Sequence, residues 1–396
     1  MSGRDPFCPQ PRRQRRGAAL TLAFVGVLVA GAATASFPET AFSADESPKP
    51  AAGSGRSALG QVDVRRAAAA AMAAGTSPVE AAERAVSRSG DRWAAVYSEG
   101  EYQEFRESLD GRYTGVGLSA RRTERGQVEV SAVRPGSPAA RAGVRTGDRL
   151  RTVDGTAVDG RPVTDVVALL RGDAQDAPAG TAVTLGLRRG THDWTETLRR
   201  ARLTTDPVTE RRLPGGATVV RVSAFTKGTG ADVRRAVRRA PSGAGIVLDL
   251  RGNSGGLVTE ATAAASAFLD GGLVATYDVD GAQRVLHAAP GGDTDRALVV
   301  LVDGGTMSAA EMLTGALQDR GRAVVIGSRT FGKGSVQMPT TLPDGSVAEL
   351  TVGHYRTPAG RAVDGRGITP DLEAGSAALD HALTVLTGLG TRAEDR

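Results

Sequence analysis

From about residue 217 the chain alternates two kinds of segment. Short apolar runs (ATVVRVSAF, GIVLDLRGN, ALVVLVDGG, AVVIGS) are separated by Ala-rich or amphipathic ones (ADVRRAVRRA, TEATAAASAFLD, AAEMLTGALQD). A strand that is apolar at successive positions must be covered on both faces, which parallel strands with helical crossovers achieve. The alternation therefore predicts an α/β core with a mostly parallel sheet over residues 203–396. In such sheets ligands gather beyond the C-terminal ends of the strands, so the turns after the apolar runs are where chemistry is expected.

Upstream the texture differs. Residues 113–202 carry short Val-rich runs (VEVSAV, TAVTLGL) between Gly, Pro and Asp turns, with one amphipathic stretch, RPVTDVVALLRG, at 161–172. This predicts a small, mostly β domain inserted ahead of the core. Residues 61–112 are Ala-rich, with Pro78 after Ser77 and then Tyr102, Phe105 and Leu109 at helical spacing, which predicts a small helical segment. Residues 37–60, rich in Ala, Ser, Pro and Gly, read as a flexible linker.

The formal charge of +5 is concentrated at one end. Residues 1–17 hold five arginines and one aspartate, so the remainder has 44 basic against 43 acidic side chains. That balance removes the electrostatic footing for a nucleic-acid partner. The basic leader runs into GAALTLAFVGVLVAGAATAS, residues 17–36, which reads as a signal sequence or a single membrane span. Export is the expectation, as an anchored protein with its folded part outside the cytoplasm or as a secreted one after leader cleavage. Cys8 precedes the apolar run, so the exported part has no thiol with which to form a disulfide.

The four histidines, His192, His287, His354 and His381, show no metal-ligand spacing and none lies in a Gly-rich turn, which argues against a Ser-His-Asp triad or a zinc site. A serine follows a buried strand at VVLVDGGTMSAAEMLTGALQD, where Ser308 opens a helix. Ser308-Ala309-Ala310-Glu311 is also a capping-box pattern, a purely structural use of the same residues. Yet a helix N-terminus offers unpaired N–H groups able to stabilise an oxyanion. Such a serine needs a base, and the chain has 46 arginines but three lysines, one of them Lys333 in FGKGSVQ. A desolvated lysine can lose its proton and serve as base, whereas an arginine cannot. Lys333 follows the next apolar run, so parallel strands bring it out on the side of Ser308. GIVLDLRGNSGG, residues 245–256, ends in a glycine turn where Gly255 and Gly256 let backbone approach a bound peptide.

These motifs, in this order, resemble the carboxyl-terminal processing peptidases, or tail-specific proteases, a family of Ser-Lys serine endopeptidases of the cell envelope. The likeness spans residues 61–375 and includes GRYTGVGL, SAVRPGSPAARAGVRTGDRLRTVDG, VLDLRGNSGG, IGSRTFGKGSVQ and YRTPAGRAVDGRGITPD. It implies Ser308 as nucleophile, Lys333 as general base and Gln337 holding the lysine by a side-chain hydrogen bond. The oxyanion hole would be the Ala309 N–H with one from Gly255 or Gly256, and Asp319 would have a supporting, structural part. The β domain would be a PDZ domain in which Gly115, Val116, Gly117 and Leu118 capture a substrate tail. The partners implied are proteins with exposed C-termini; no metal or cofactor is implied, and self-association is left open. Met307 stands where the family has a small residue, and Ser254 where it has proline. A rival function is a catalytically degenerate PDZ scaffold that binds C-terminal peptides without cutting them.

Overall fold

The computed structural model describes residues 54–390 apart from 124, 172–176 and 280–281. The basic leader, the apolar run at 17–36 and Cys8 lie outside the described residues. No helix among those described is long and apolar enough to cross a membrane. The described chain divides into two compact units.

The smaller unit comprises Leu118–Leu170 and Val183–Leu198. The larger opens with α1 (Ser54–Ala73), α2 (Pro78–Ser89), β1 (Ala95–Tyr97), α3 (Glu99–Leu109) and β2 (Arg112–Gly115). Helix α1 begins inside the stretch read as linker, because a helix nucleated in the Ala-rich segment extends backward one residue at a time at little cost. Ser77 caps α2, its hydroxyl accepting the Glu80 N–H at 3.3 Å ahead of Pro78, as the sequence predicts. Strand β1 interrupts what reads as a helical segment.

The smaller unit holds β3 (Leu118–Arg122), β4 (Val128–Val133), α4 (Pro138–Arg141), β5 (Arg149–Val153), β6 (Thr156–Ala157), α5 (Val163–Leu170), β7 (Ala182–Arg189) and β8 (His192–Arg199). Its sheet runs β3-β4-β5-β7-β8, with β3 on an edge and α5 packed beside it. Strand β7 alternates buried Val183, Leu185 and Leu187 with more exposed neighbours, the period-two pattern of a half-buried strand.

The larger unit resumes with β9 (Ala201–Thr204), β10 (Val208–Arg212), β11 (Thr218–Val222), α6 (Thr229–Arg239), β12 (Ile246–Asp249), α7 (Val258–Ala265), β13 (Leu273–Val279) and β14 (Ala282–His287). It ends with β15 (Leu298–Val302), α8 (Ala309–Asp319), β16 (Val324–Gly327), β17 (Ser335–Thr341), β18 (Val347–Arg356), β19 (Leu372–Glu373) and α9 (Ala378–Gly390). One sheet has the order β10-β11-β12-β15-β16-β19. Every pairing from β11 to β19 is parallel, while β10 joins antiparallel at one edge.

Both faces of that sheet are covered. Val220, Ile246, Leu248 and Val300 pack with Val233 of α6, Ala264 of α7 and Leu313 of α8. Val219, Val247, Val299 and Ile326 turn to the other face, against Ala378, Ala382 and Leu386 of α9. This double burial is why the strands read as unbroken apolar runs.

A second sheet, β1-β18-β13-β14 with β17 on β18, is antiparallel throughout. Periodicity alone does not reveal it, since β13, β14 and β17 mix polar and apolar residues. A turn signal was present in Asp344-Gly345 between β17 and β18, with Gly345 in the left-handed region at φ 85°. The segment that carries Lys333 runs from β16 of the first sheet to β17 of the second.

Candidate active site

Ser308 follows β15 through a tight turn, residues 303–307, and begins α8. Several polar contacts fix the turn. Asp303 Oδ1 accepts N–H groups from Gly252 (2.8 Å) and Gly305 (2.9 Å), and Thr306 Oγ1 donates to the Leu250 carbonyl at 2.9 Å. The Met307 N–H donates to the Asn253 carbonyl at 2.8 Å, which ties the serine turn to the glycine turn after β12. Ser308 itself has φ 54° and ψ −119°, a backbone state costing roughly 1–3 kcal/mol for a residue with a side chain. Such strain persists only where surrounding contacts over-determine it, and here they do.

Glu311, one turn into α8, joins the serine to the lysine segment. Its carboxylate is buried and accepts four hydrogen bonds. Oε2 takes the backbone N–H of Ser308 at 2.9 Å and of Lys333 at 2.8 Å. Oε1 takes the Gly332 N–H at 2.7 Å and the Thr330 hydroxyl. Burial pushes this carboxyl up, and the four donors oppose that by favouring the ionised form. The capping-box reading of Glu311 thus captured one of its four bonds.

Lys333 lies between β16 and β17 and is completely buried. A Cβ on Gly334 would come within 2.4 Å of the Asp364 backbone N, so only glycine permits the chain to pass there. The lysine amine sits 5.0 Å from the centre of the Trp93 ring, which also contacts Phe331. Burial pulls the amine down to about 8, while Glu349, Asp91, Asp364 and Glu311 act in the opposite sense.

The lysine Nζ has no hydrogen-bond partner among the described residues. Its backbone is brought beside that of Ser308 through Glu311, yet the two side chains are not bonded. The expected bond from Gln337 is also not formed. Gln337 Nε2 donates to Ser335 Oγ at 2.7 Å and to Thr351 Oγ1 at 3.3 Å, and its Oε1 is unpartnered. The reason is local, since Gln337 sits on β17 opposite Thr351 and its amide is held by neighbours in that sheet.

The glycine turn after β12 lies against the serine. A Cβ on Gly255 would lie 2.9 Å from Ser308 Cβ and 3.2 Å from the Ala309 N. The Gly255 N–H is already given to Asn253 Oδ1 at 2.8 Å. Among the described residues none accepts the Gly256 N–H of this turn or the Ala309 N–H at the start of α8. Asp319 lies at the far end of α8, where it accepts the Ala359 N–H at 2.8 Å and pairs with Arg361, and so fastens the helix to the loop after β18.

Of the tail-binding candidates, Gly115, Val116 and Gly117 belong to the larger unit and Leu118 to the smaller. Gly115 ends β2, Gly117 takes φ 79°, and Leu118 opens β3. Val116 is only 2% exposed, which leaves Leu118 as the member of the pair with open surface. Sequence reading passed over Trp93 and Glu349. A charged residue within the apolar run VAEL was the available signal for Glu349, because an acid in a buried strand is costly unless it has a use.

Residues 216–374 match peptidase family S41, and residues 129–189 match a PDZ domain. Carboxyl-terminal-processing peptidase 2, chloroplastic, of Arabidopsis thaliana is 34% identical over 317 residues, 74% of this chain and 59% of its own length. The carboxy-terminal-processing protease of Bartonella bacilliformis is 34% identical over 280 residues, 68% of this chain and 63% of its own. In both, the match spans less than two thirds of the relative. The solved structure of the photosystem II D1 C-terminal processing protease is 32% identical, with a TM-score of 0.50, covering 78% of this chain and 86% of that one. With its strained serine, buried lysine and PDZ domain in one polypeptide, the chain belongs to the carboxyl-terminal processing peptidases of family S41.

Proposed function

We propose that this chain is a serine endopeptidase that acts outside the cytoplasm and cleaves proteins at or near their C-termini. The observation that carries the reading is the Glu311 carboxylate, which grips the backbone N–H of a strained Ser308 and of a buried Lys333 together. The unclaimed N–H groups of Ala309 at the start of α8 and of Gly256 in the adjoining glycine turn support an oxyanion hole there.

In the mechanism, the neutral Lys333 amine takes the Ser308 hydroxyl proton as Oγ attacks the scissile carbonyl. The tetrahedral oxyanion is held by the two N–H groups. The C–N bond breaks as the ammonium returns its proton to the leaving amine, and the same amine then activates water to release the acyl group. Because the Lys333 N–H is fixed to Glu311, only the four-carbon side chain need swing from beneath Trp93 toward Ser308. In the smaller unit, the edge position of β3 with α5 beside it supports capture of the substrate tail as an added strand.

The test compares the purified protein with Ser308→Ala and Lys333→Ala on an unfolded substrate bearing an apolar C-terminus. Cleavage lost in both variants supports the reading, and equal cleavage in all three refutes it. Tail binding without cleavage by the parent would establish the scaffold instead.

A further inference from the structure

A cleft of about 530 Å³ opens between the loop after β18 and the segment that follows β16, wholly within the larger unit. Four of the nine residues that line it are arginines: Arg329, Arg356, Arg361 and Arg366. The chain is rich in arginine, with 46 in 396 residues, yet that frequency would put only about one among nine. No acid lines the cleft.

Two of the four are partly answered. Arg361 pairs with Asp319 and donates to Gln318 Oε1 at 2.8 Å, and Arg356 donates to the Gly360 carbonyl at 3.2 Å. The guanidinium groups of Arg329 and Arg366 have no partner among the described residues. Acids close by in sequence are committed elsewhere. Asp364 accepts the Gly334 N–H and faces Arg92 and His354, while Asp371 accepts the Val325 N–H and the Gln318 amide, both at 2.8 Å. The walls of the cleft are tied together. The Ile368 N–H donates to Thr330 Oγ1 at 2.7 Å, the Thr330 N–H to the Ile368 carbonyl at 3.1 Å and the Gly365 N–H to the Gly332 carbonyl at 2.8 Å. Gly367 packs so closely that a Cβ there would lie 2.4 Å from the Thr330 carbonyl oxygen. Like charges gathered on such a fixed frame repel one another, and a bound anion relieves that repulsion.

Size and exposure indicate which anion. The cleft falls in the range of roughly 300–1,000 Å³ that holds drug-sized ligands, far more than a lone inorganic oxyanion fills. All four arginines are exposed, so each contact is weak by itself and several must be made together, as a run of carboxylates does. The cleft also adjoins the site of chemistry. Arg329 stands four positions before Lys333, a separation of at most about 14 Å that an extended substrate covers in about four residues. Between them, the Phe331 N–H donates to the Thr306 carbonyl of the serine turn at 3.0 Å. We propose that the arginine cleft is an exosite for an acidic stretch of the protein substrate, a few residues from the bond that is cut. The inference rests on the endopeptidase reading, and it adds the substrate class: proteins with clustered Asp and Glu near the cleavage site.

Binding is read by fluorescence anisotropy on the Ser308→Ala protein, so that no catalysis is required. The probes are a labelled Glu-rich peptide, its Gln counterpart and inorganic polyphosphate. We expect the Glu peptide to bind at least about tenfold more tightly than the Gln peptide at low salt, and Arg329→Ala/Arg366→Ala to lose most of that difference. The exposed pair Arg65→Ala/Arg88→Ala, on α1 and α2, is the control for general charge and should change nothing. Thermal unfolding checks that each variant is folded. In the active protein the cleft substitutions should raise KM about tenfold for a substrate with the acidic stretch, with kcat held, and leave its Gln counterpart unaffected. Equal binding of the two peptides, or an equal loss in the control variant, overturns the proposal. So does polyphosphate held through Arg329 and Arg366 when the Glu peptide is not, because the occupant is then a phosphate polymer. Arginine-dependent binding of the Glu peptide by a protein that cleaves nothing keeps the acidic-peptide site and removes the endopeptidase reading. Cleavage with a KM indifferent to Arg329 and Arg366 keeps that reading and removes the exosite.

Discussion

Lysine at 333 is defined by where its amine lies. Complete burial penalises the ammonium, and the amine stands near 8 against an ordinary 10.5. A general base works only when neutral, so the sign follows directly. Below about pH 8 the amine carries its proton, and kcat/KM should fall about tenfold per pH unit, with a plateau above. A flat profile from pH 6 to 9 would remove Lys333 from the chemistry. Lys333→Arg should leave no measurable cleavage, because a guanidinium does not give up its proton. The helix start at Ser308 after an apolar strand, and a lysine between glycines at 333, were legible in the sequence and are what the proposal rests on. The Gln337 bond was not legible, because its amide answers to Ser335 and Thr351, and Thr351 reaches it only through the pairing of β17 with β18.

Two elements must be held in register for the site to exist: the start of α8, and the segment between β16 and β17. Glu311 is the brace between them, so its loss should be felt in both stability and turnover. Glu311→Gln keeps the volume but offers one acceptor oxygen and adds an NH2 facing groups that also donate. Leaving buried donors unmet should cost about 2–4 kcal/mol in urea denaturation, and kcat should fall at least tenfold with little change in KM. Wild-type stability together with wild-type kcat would show that the two elements are held without it. The strands and helices of the parallel sheet were readable in order, since double-faced burial leaves unbroken apolar runs such as ALVVLV. The antiparallel sheet was not, because β1 lies in an Ala-rich region and pairs with a strand about 250 residues later.

On the proposed reading the PDZ domain takes the substrate tail and the S41 region cuts the bond. If the tail carboxylate is recognised in the PDZ unit, amidating the substrate C-terminus should raise KM about tenfold and leave kcat unchanged, as expected for a lost charge-assisted hydrogen bond. An unchanged KM would separate tail specificity from that unit. Periodicity, glycine turns and the rarity of lysine gave the strands of the parallel sheet and the pair of residues on which chemistry is proposed, though not the antiparallel sheet, because these are properties of single segments. That the Lys333 amine is buried without a hydrogen-bond partner among the described residues, and that the Gln337 amide is held by Ser335 and Thr351, were settled by packing. Those depend on pairings between distant stretches of chain: Glu349 is buried only because β18 pairs with β1 and β17, which no local pattern could have named.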